Sequence, residues 1–253
     1  MRYFFILALF FSSCILLPER EPKVKVEVAQ LKEIKELSDD RFYEEAIKKC
    51  FLFKKNFPES PFNDVVILKL GEAFEGLLEK DYRQLVEDGQ PEELARKSFL
   101  DKYGHYQCWL ENPEGIQYNL MHYKEMMEEF PDSPYADEAA YHLIPLASEY
   151  KDLPDGPLKE IKNLEGVLNE YPTSSLRPQI YYQIAYRLHI LHEIYAFSPR
   201  IDLRNEVEAE KYRKKAFYFY RLVLKQPEQS KFSRFAWEGL KKLEEGKRVY
   251  KTK

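Results

Sequence analysis

Two five-residue phrases constrain this chain more than anything else in it: Phe57-Pro58-Glu59-Ser60-Pro61 and Phe130-Pro131-Asp132-Ser133-Pro134. Weaker copies stand at Tyr171-Pro172-Thr173-Ser174-Ser175 and Gln226-Pro227-Glu228-Gln229-Ser230. The residue before a proline is pushed out of the α region, so each phrase ends a helix. The serine then caps the next helix, whose first position accepts a proline because that N–H has no partner. A chain punctuated in this way folds as successive antiparallel helix pairs.

The segments between the phrases carry the matching periodicity. Phe42, Ala46, Cys50, Phe53 and Phe57 recur at helical steps, as do Ile116, Leu120, Tyr123, Met127 and Phe130. The same holds for Ala136, Ala140, Leu143, Ala147 and Tyr150, and for Tyr212, Ala216, Phe219 and Val223. Each set puts one apolar stripe on one helix. No segment shows sustained strand alternation, so the expected class is all-α. The helices pair as 26–38 with 41–56, 62–80 with 116–129, 135–150 with 157–170, and 177–196 with 206–225. A last helix at 231–249 would cover the open end, as a stack of repeats requires. The long first interval places an irregular insertion at 81–115, which holds Asp88-Gly89, Asn112-Pro113 and the aromatics Tyr103, Tyr106 and Trp109.

Composition narrows the function classes. The 253 residues include 39 Lys and Arg against 43 Asp and Glu, a net −4. Such a balance argues against a nucleic-acid protein, whose affinity rests on neutralising phosphates. Only nine glycines are present, which argues against Gly-rich phosphate loops. Gly71 and Gly76 have phosphate-loop spacing, but Leu77-Leu78 stands where Lys-Ser/Thr is required. No GxSxG elbow occurs. His189 and His192, followed by Glu193, lack the His-Glu-x-x-His order of a zinc protease and read as ordinary helix histidines. The expectation is therefore no enzyme, no metal, no cofactor and no small-molecule substrate.

The first residues read as an address. Arg2 precedes an unbroken apolar run from Tyr3 to Phe11, and Ser12-Ser13 leads to Cys14, the layout of a signal peptide. Phe11-Ser12-Ser13-Cys14 resembles a bacterial lipobox, which implies a signal peptide over 1–13 and a lipidated Cys14, with residues 14–25 a charged spacer. Phe11 and Ile15-Leu16-Leu17 depart from the usual lipobox pattern. An uncleaved anchor and a buried N-terminal helix are the other readings. Cys50 and Cys108 would remain in the mature chain, and nothing in the sequence brings them together as a disulfide.

Leu70-Gly71-Glu72-Ala73-Phe74 resembles the first-helix signature of tetratricopeptide repeats, and Tyr43-Glu44-Glu45-Ala46-Ile47 with Pro58 resembles the second helix and closing proline. With the lipobox-like start, the chain resembles the BamD family of outer-membrane assembly lipoproteins and related envelope tetratricopeptide proteins. That resemblance implies an α-solenoid of about four hairpins plus a C-terminal cap over 26–253. It implies a non-catalytic scaffold facing the periplasm, which binds envelope proteins or extended peptides and contributes to β-barrel assembly. A peptidoglycan-associated adaptor, an α-solenoid enzyme and a soluble cytoplasmic adaptor are the alternatives. Tyr181, Tyr182, Tyr186, Tyr195, Tyr218 and Tyr220 exceed what a core requires. Tyrosine is enriched at interfaces, so Tyr181, Tyr182, Tyr186, Tyr218 and Tyr220 are the candidate partner-binding residues. The basic cluster Lys211, Arg213, Lys214, Lys215 and the tail Lys247, Arg248, Lys251, Lys253 read as a solvated face, with acidic protein or anionic lipid as the sharper alternative.

Overall fold

The computed structural model describes residues 23–113, 115–147, 150–226 and 231–250. The expected signal peptide, Cys14 and most of the spacer lie outside these residues. The fold is mostly helical, with one small antiparallel hairpin. Helix α1 spans Lys23–Asp39 and α2 Tyr43–Asn56. Helix α3, Asn63–Leu78, runs on through a π turn at Glu79–Arg83 into the short α4, Gln84–Glu87. After α5 (Glu92–Tyr103) come strands β1 (Trp109–Asn112) and β2 (Gly115–Tyr118). Then follow α6 (Met121–Glu129), α7 (Ala136–His142) and α8 (Asp155–Glu170). The chain continues with α9 (Arg177–Phe197), α10 (Glu206–Leu224) and α11 (Lys231–Glu244).

The repeated phrases produce repeated geometry. In three hinges the serine N–H donates to the carbonyl of the aromatic residue three positions back: Ser60 to Phe57, Ser133 to Phe130 and Ser174 to Tyr171, at 3.0, 3.0 and 3.1 Å. Each serine hydroxyl also accepts the N–H two residues on, from Phe62, Tyr135 and Leu176. The serine thus closes a short turn that feeds the helix, and Pro61 and Pro134 precede α3 and α7 instead of occupying their first position. Two hydroxyls reach backwards as well. Ser60 Oγ donates to Glu27 of α1 at 2.8 Å, and Ser133 Oγ to Asp64 of α3 at 2.7 Å. Asp137 of α7 stands four residues after its hinge serine, as Asp64 does, and is buried. The first two hinges are thereby tied to the start of the preceding hairpin.

Helices pack in sequence order: α1 on α2 and α3, α3 on α2 and α6, α6 on α7, α7 on α8, α8 on α9, and α9 on α10 and α11. One core runs from Leu31 to Ala139 and a second from Tyr141 to Leu243, so α7 joins them. Close approach is set by glycines in helix faces. A Cβ at Gly71 would sit 2.7 Å from the ring of Tyr123. Gly71→Ala must displace a fully buried ring, and overpacking of this kind costs ~1–3 kcal/mol. Urea denaturation checks this expectation, and an unchanged midpoint would contradict it.

Three expectations need correction. The stretch expected as helix from 116 begins as β2, and α6 starts only at Met121 after Leu120 at φ 60°. Ile116 and Tyr118 point inward with Gln117 outward, so a period of two had been read as part of a longer helical spacing. Next, α7 ends at His142, short of the expected 150, because Pro145 forbids continuation. The segment 81–115, read as an irregular insertion, packs into the first core. Phe99 meets Trp109 edge-on at 4.9 Å, and Phe74 meets Tyr106 and Trp109 at 5.1 and 5.6 Å. The hairpin pairs Trp109 with Tyr118 and Asn112 with Gly115. Gly115 has φ 120°, and a Cβ there would lie 2.5 Å from the Tyr82 hydroxyl. Residues 23–25 of the expected spacer belong to α1.

Candidate interaction faces

The five candidate tyrosines do not form one surface. Tyr220 is fully buried, its ring against Gly239 and its hydroxyl 3.4 Å from His189 Nδ1. Tyr181 is buried too and receives Arg177 Nη2 on its hydroxyl at 2.6 Å. Tyr182 and Tyr186 are half-buried, and Tyr182 packs beside Phe232 and Phe235 of α11 at 6.0 and 5.8 Å. Burial pushes the phenols of Tyr182, Tyr186 and Tyr220 upward. Only Tyr218 is exposed. The tyrosine excess is mostly packing, because α9 is apolar around its circumference and is enclosed by α8, α10 and α11.

The first helices of the hairpins offer a different face. Between α1, α3 and the start of α7 lies a cleft of about 180 Å³, lined by Lys35, Asp39, Val65, Leu68, Lys69, Tyr135 and Glu138. Lys69 Nζ contacts Glu72 Oε2 at 2.6 Å. Burial works against the Lys69 charge, but Glu72, Glu138 and Asp39 outweigh it and raise its pKa. Burial raises the carboxyl of Glu138, helped by Glu72. The cleft therefore presents an apolar floor between paired charges of both signs.

At the far end of the same series, buried charge organises α8 and α9. Glu160 Oε2 receives Arg187 Nε and, at 2.6 Å, the Tyr150 hydroxyl, while Oε1 receives the Ala147 N–H at 2.8 Å. Arg187 also reaches Gln183. One turn on, Glu193 accepts the main-chain N–H groups of Val249 and Tyr250 at 2.5 and 3.1 Å. The Tyr150 N–H donates to the Tyr250 hydroxyl at 3.1 Å, and Arg248 Nη2 donates to the Phe197 carbonyl at 3.2 Å. Residues 248–250 thus lie against α9 as a non-helical segment. Burial pushes Glu193 up to about 7, against the lowering effect of its two backbone donors, Arg248 and Lys242. The network is visible in the sequence only as charged residues inside an apolar helical run, Arg187 and Glu193 within Ile184–Ile194.

His142, His189 and His192 have structural partners, and both described cysteines are buried. His189 is pushed down to about 3 by burial, and its Nε2 stands 3.5 Å from Glu193. His192 Nδ1 lies 3.0 Å from the Ala209 carbonyl. His142 Nδ1 is 2.9 Å from Glu75 Oε2, which also accepts the Tyr123 hydroxyl at 2.9 Å, so one carboxylate fastens α3, α6 and α7. Cys50 and Cys108 are free, buried thiols, each pushed up to about 12 by desolvation. Among the described residues no three His, Cys, Asp or Glu side chains are placed to hold a metal, and no helix is long and apolar enough to cross a membrane. Compared with known families and curated proteins, the chain matches no family model and no curated relative.

Proposed function

We propose that this chain is a non-catalytic scaffold, a solenoid of stacked hairpins that binds an extended segment of a partner protein. The pairs are α1/α2, α3/α6, α7/α8 and α9/α10, with α11 closing the end. The partner lies along the face of the first helices α1, α3 and α7. The observation that carries this reading is the segment 248–250: Glu193 of α9 already receives a non-helical stretch of chain through the N–H groups of Val249 and Tyr250, and the Tyr250 hydroxyl accepts the Tyr150 N–H beside it. Backbone recognition by a rigid helical face tolerates varied sequences, and a few anchors supply most of the energy. In this reading the cleft at Lys35, Lys69 and Glu138 is where the partner segment docks. Lipidation at Cys14 would hold the scaffold in the bacterial envelope, and a contribution to outer-membrane β-barrel assembly is what the family resemblance implies.

A photoreactive amino acid at Glu138 tests the reading in cells, with Glu87 of α4 as control. The expected result is a recurrent adduct with one envelope protein at position 138 and none at 87. The same adducts at both positions would overturn it.

A further inference from the structure

The charge of this chain is divided along its length. Residues 211–253 hold 14 Lys and Arg against four Asp and Glu, whereas residues 1–210 hold 25 against 39. A net +10 end is therefore attached to a net −14 body. The basic end is ordered around α10, which has two chemically different sides. Ala209, Tyr212, Ala216, Tyr220 and Val223 are buried against α9 and α11. On the opposite side Val207, Lys211, Lys214, Tyr218, Leu222 and Lys225 recur at steps of 4, 3, 4, 4 and 3, with Arg221 beside them. The stripe runs about 27 Å; two carboxylates stand beside its first turns, Glu208 2.8 Å from Lys211 and Glu210 3.8 Å from Lys214. Val207 and Tyr218 stand out into solvent, at 77% and 60% exposure, while Leu222 is partly buried against the second core. Arg221 lies over the ring of Phe217 at 5.9 Å, and among the described residues neither Arg221 nor Lys225 has an ion-pair partner. On the adjoining α11, Trp237 is exposed with Lys241 over its ring at 5.4 Å.

We propose that the outer stripe of α10 is a docking surface for an anionic lipid membrane, with Lys211, Lys214, Arg221 and Lys225 over the headgroups and Tyr218 among them. Several observations favour a lipid surface over an acidic protein or a nucleic acid. The stripe carries an open depression of about 480 Å³ lined by Lys214, Phe217, Tyr218, Arg221, Leu222 and Lys225, and since all of these belong to one helix, no second element walls it in around a peptide. Cations on flexible stems around an exposed tyrosine, with a tryptophan nearby, suit the boundary between headgroups and acyl chains. The acidic body is repelled by the same surface, which turns the basic end towards it. This inference is independent of the segment-binding face.

Full-length protein mixed with phosphatidylglycerol vesicles, and separately with phosphatidylcholine vesicles, tests it. Any apolar contribution from the N-terminal residues is common to both lipids, so the preference isolates charge. Wild type is expected to bind the anionic vesicles more tightly, and raised salt should weaken that preference. The combined Lys211→Gln, Lys214→Gln, Arg221→Gln and Lys225→Gln variant should lose roughly a hundredfold or more, at about fivefold per cation. A control variant with Lys32, Lys48, Lys80 and Lys102 changed to Gln should keep the wild-type preference. Equal binding of both lipids by wild type, or an unaltered preference in the stripe variant, would overturn the proposal. So would stripe-dependent binding of polyglutamate or an oligonucleotide without any lipid preference.

Discussion

Replacing Arg187 with methionine is expected to cost about 3–5 kcal/mol of stability, the largest effect of any single change considered. Arg187 and Glu160 are both almost fully buried. Removing one partner leaves a carboxylate in a low-dielectric site with only the Tyr150 hydroxyl and the Ala147 N–H for company. The penalty comes from the stranded charge, not from a large net value of the pair. The same substitution in a Glu160→Gln background should therefore cost only ~1–2 kcal/mol, since the amide keeps an acceptor and carries no charge. Urea denaturation of the four proteins forms a double-mutant cycle. Equal costs of Arg187→Met in both backgrounds would show that Arg187 acts by packing alone.

Glu193 is expected to give the fold a pH dependence opposite to that of an ordinary surface carboxylate. Its folded pKa is raised to about 7, well above the unfolded value. The folded chain therefore holds this proton more tightly than the unfolded chain does. The stabilisation is fully present below the unfolded carboxyl range and is lost as pH rises through about 7, a change of roughly 3 kcal/mol. His189 and His122 run the other way. Burial pushes them down to about 3 and about 4, so each costs stability as acid charges the unfolded imidazole. The wild-type curve is the sum of these, and the difference between wild type and Glu193→Gln isolates the carboxyl. That difference should shift in favour of Glu193→Gln as pH rises from 5 towards 8. A flat difference would mean that the two backbone donors and Arg248 keep the carboxylate ionised throughout.

The parts of the fold that were legible in the sequence were those fixed by local chemistry. Helices α2 and α10 follow from one apolar stripe each and α8 and α9 from the helix stops that flank them, and the ends of all four fall within two residues of the reading. The hairpin at 109–118 was not legible. Ile116 and Tyr118 are spaced for a strand, yet Ile116, Leu120 and Tyr123 also fit a helix, and only packing against Phe74 and Phe99 decides between them. The backward bonds from Ser60 to Glu27 and Ser133 to Asp64 span 33 and 69 residues, beyond the reach of any local pattern. The tyrosines misled for a related reason: the count was right, but α9 is enclosed on several sides and consumes them as core. What the sequence did mark was the odd charged residue in an apolar run, and Arg187 and Glu193 organise the end of the molecule.

Hydrogen exchange on the full chain, free and bound to the partner captured at Glu138, tests the central claim most directly. Segment binding along the first helices predicts slowed exchange in 23–39, 63–78 and 136–142, with 43–56 and 121–129 unchanged. Protection confined to the second helices, or absent from both sets, would contradict it.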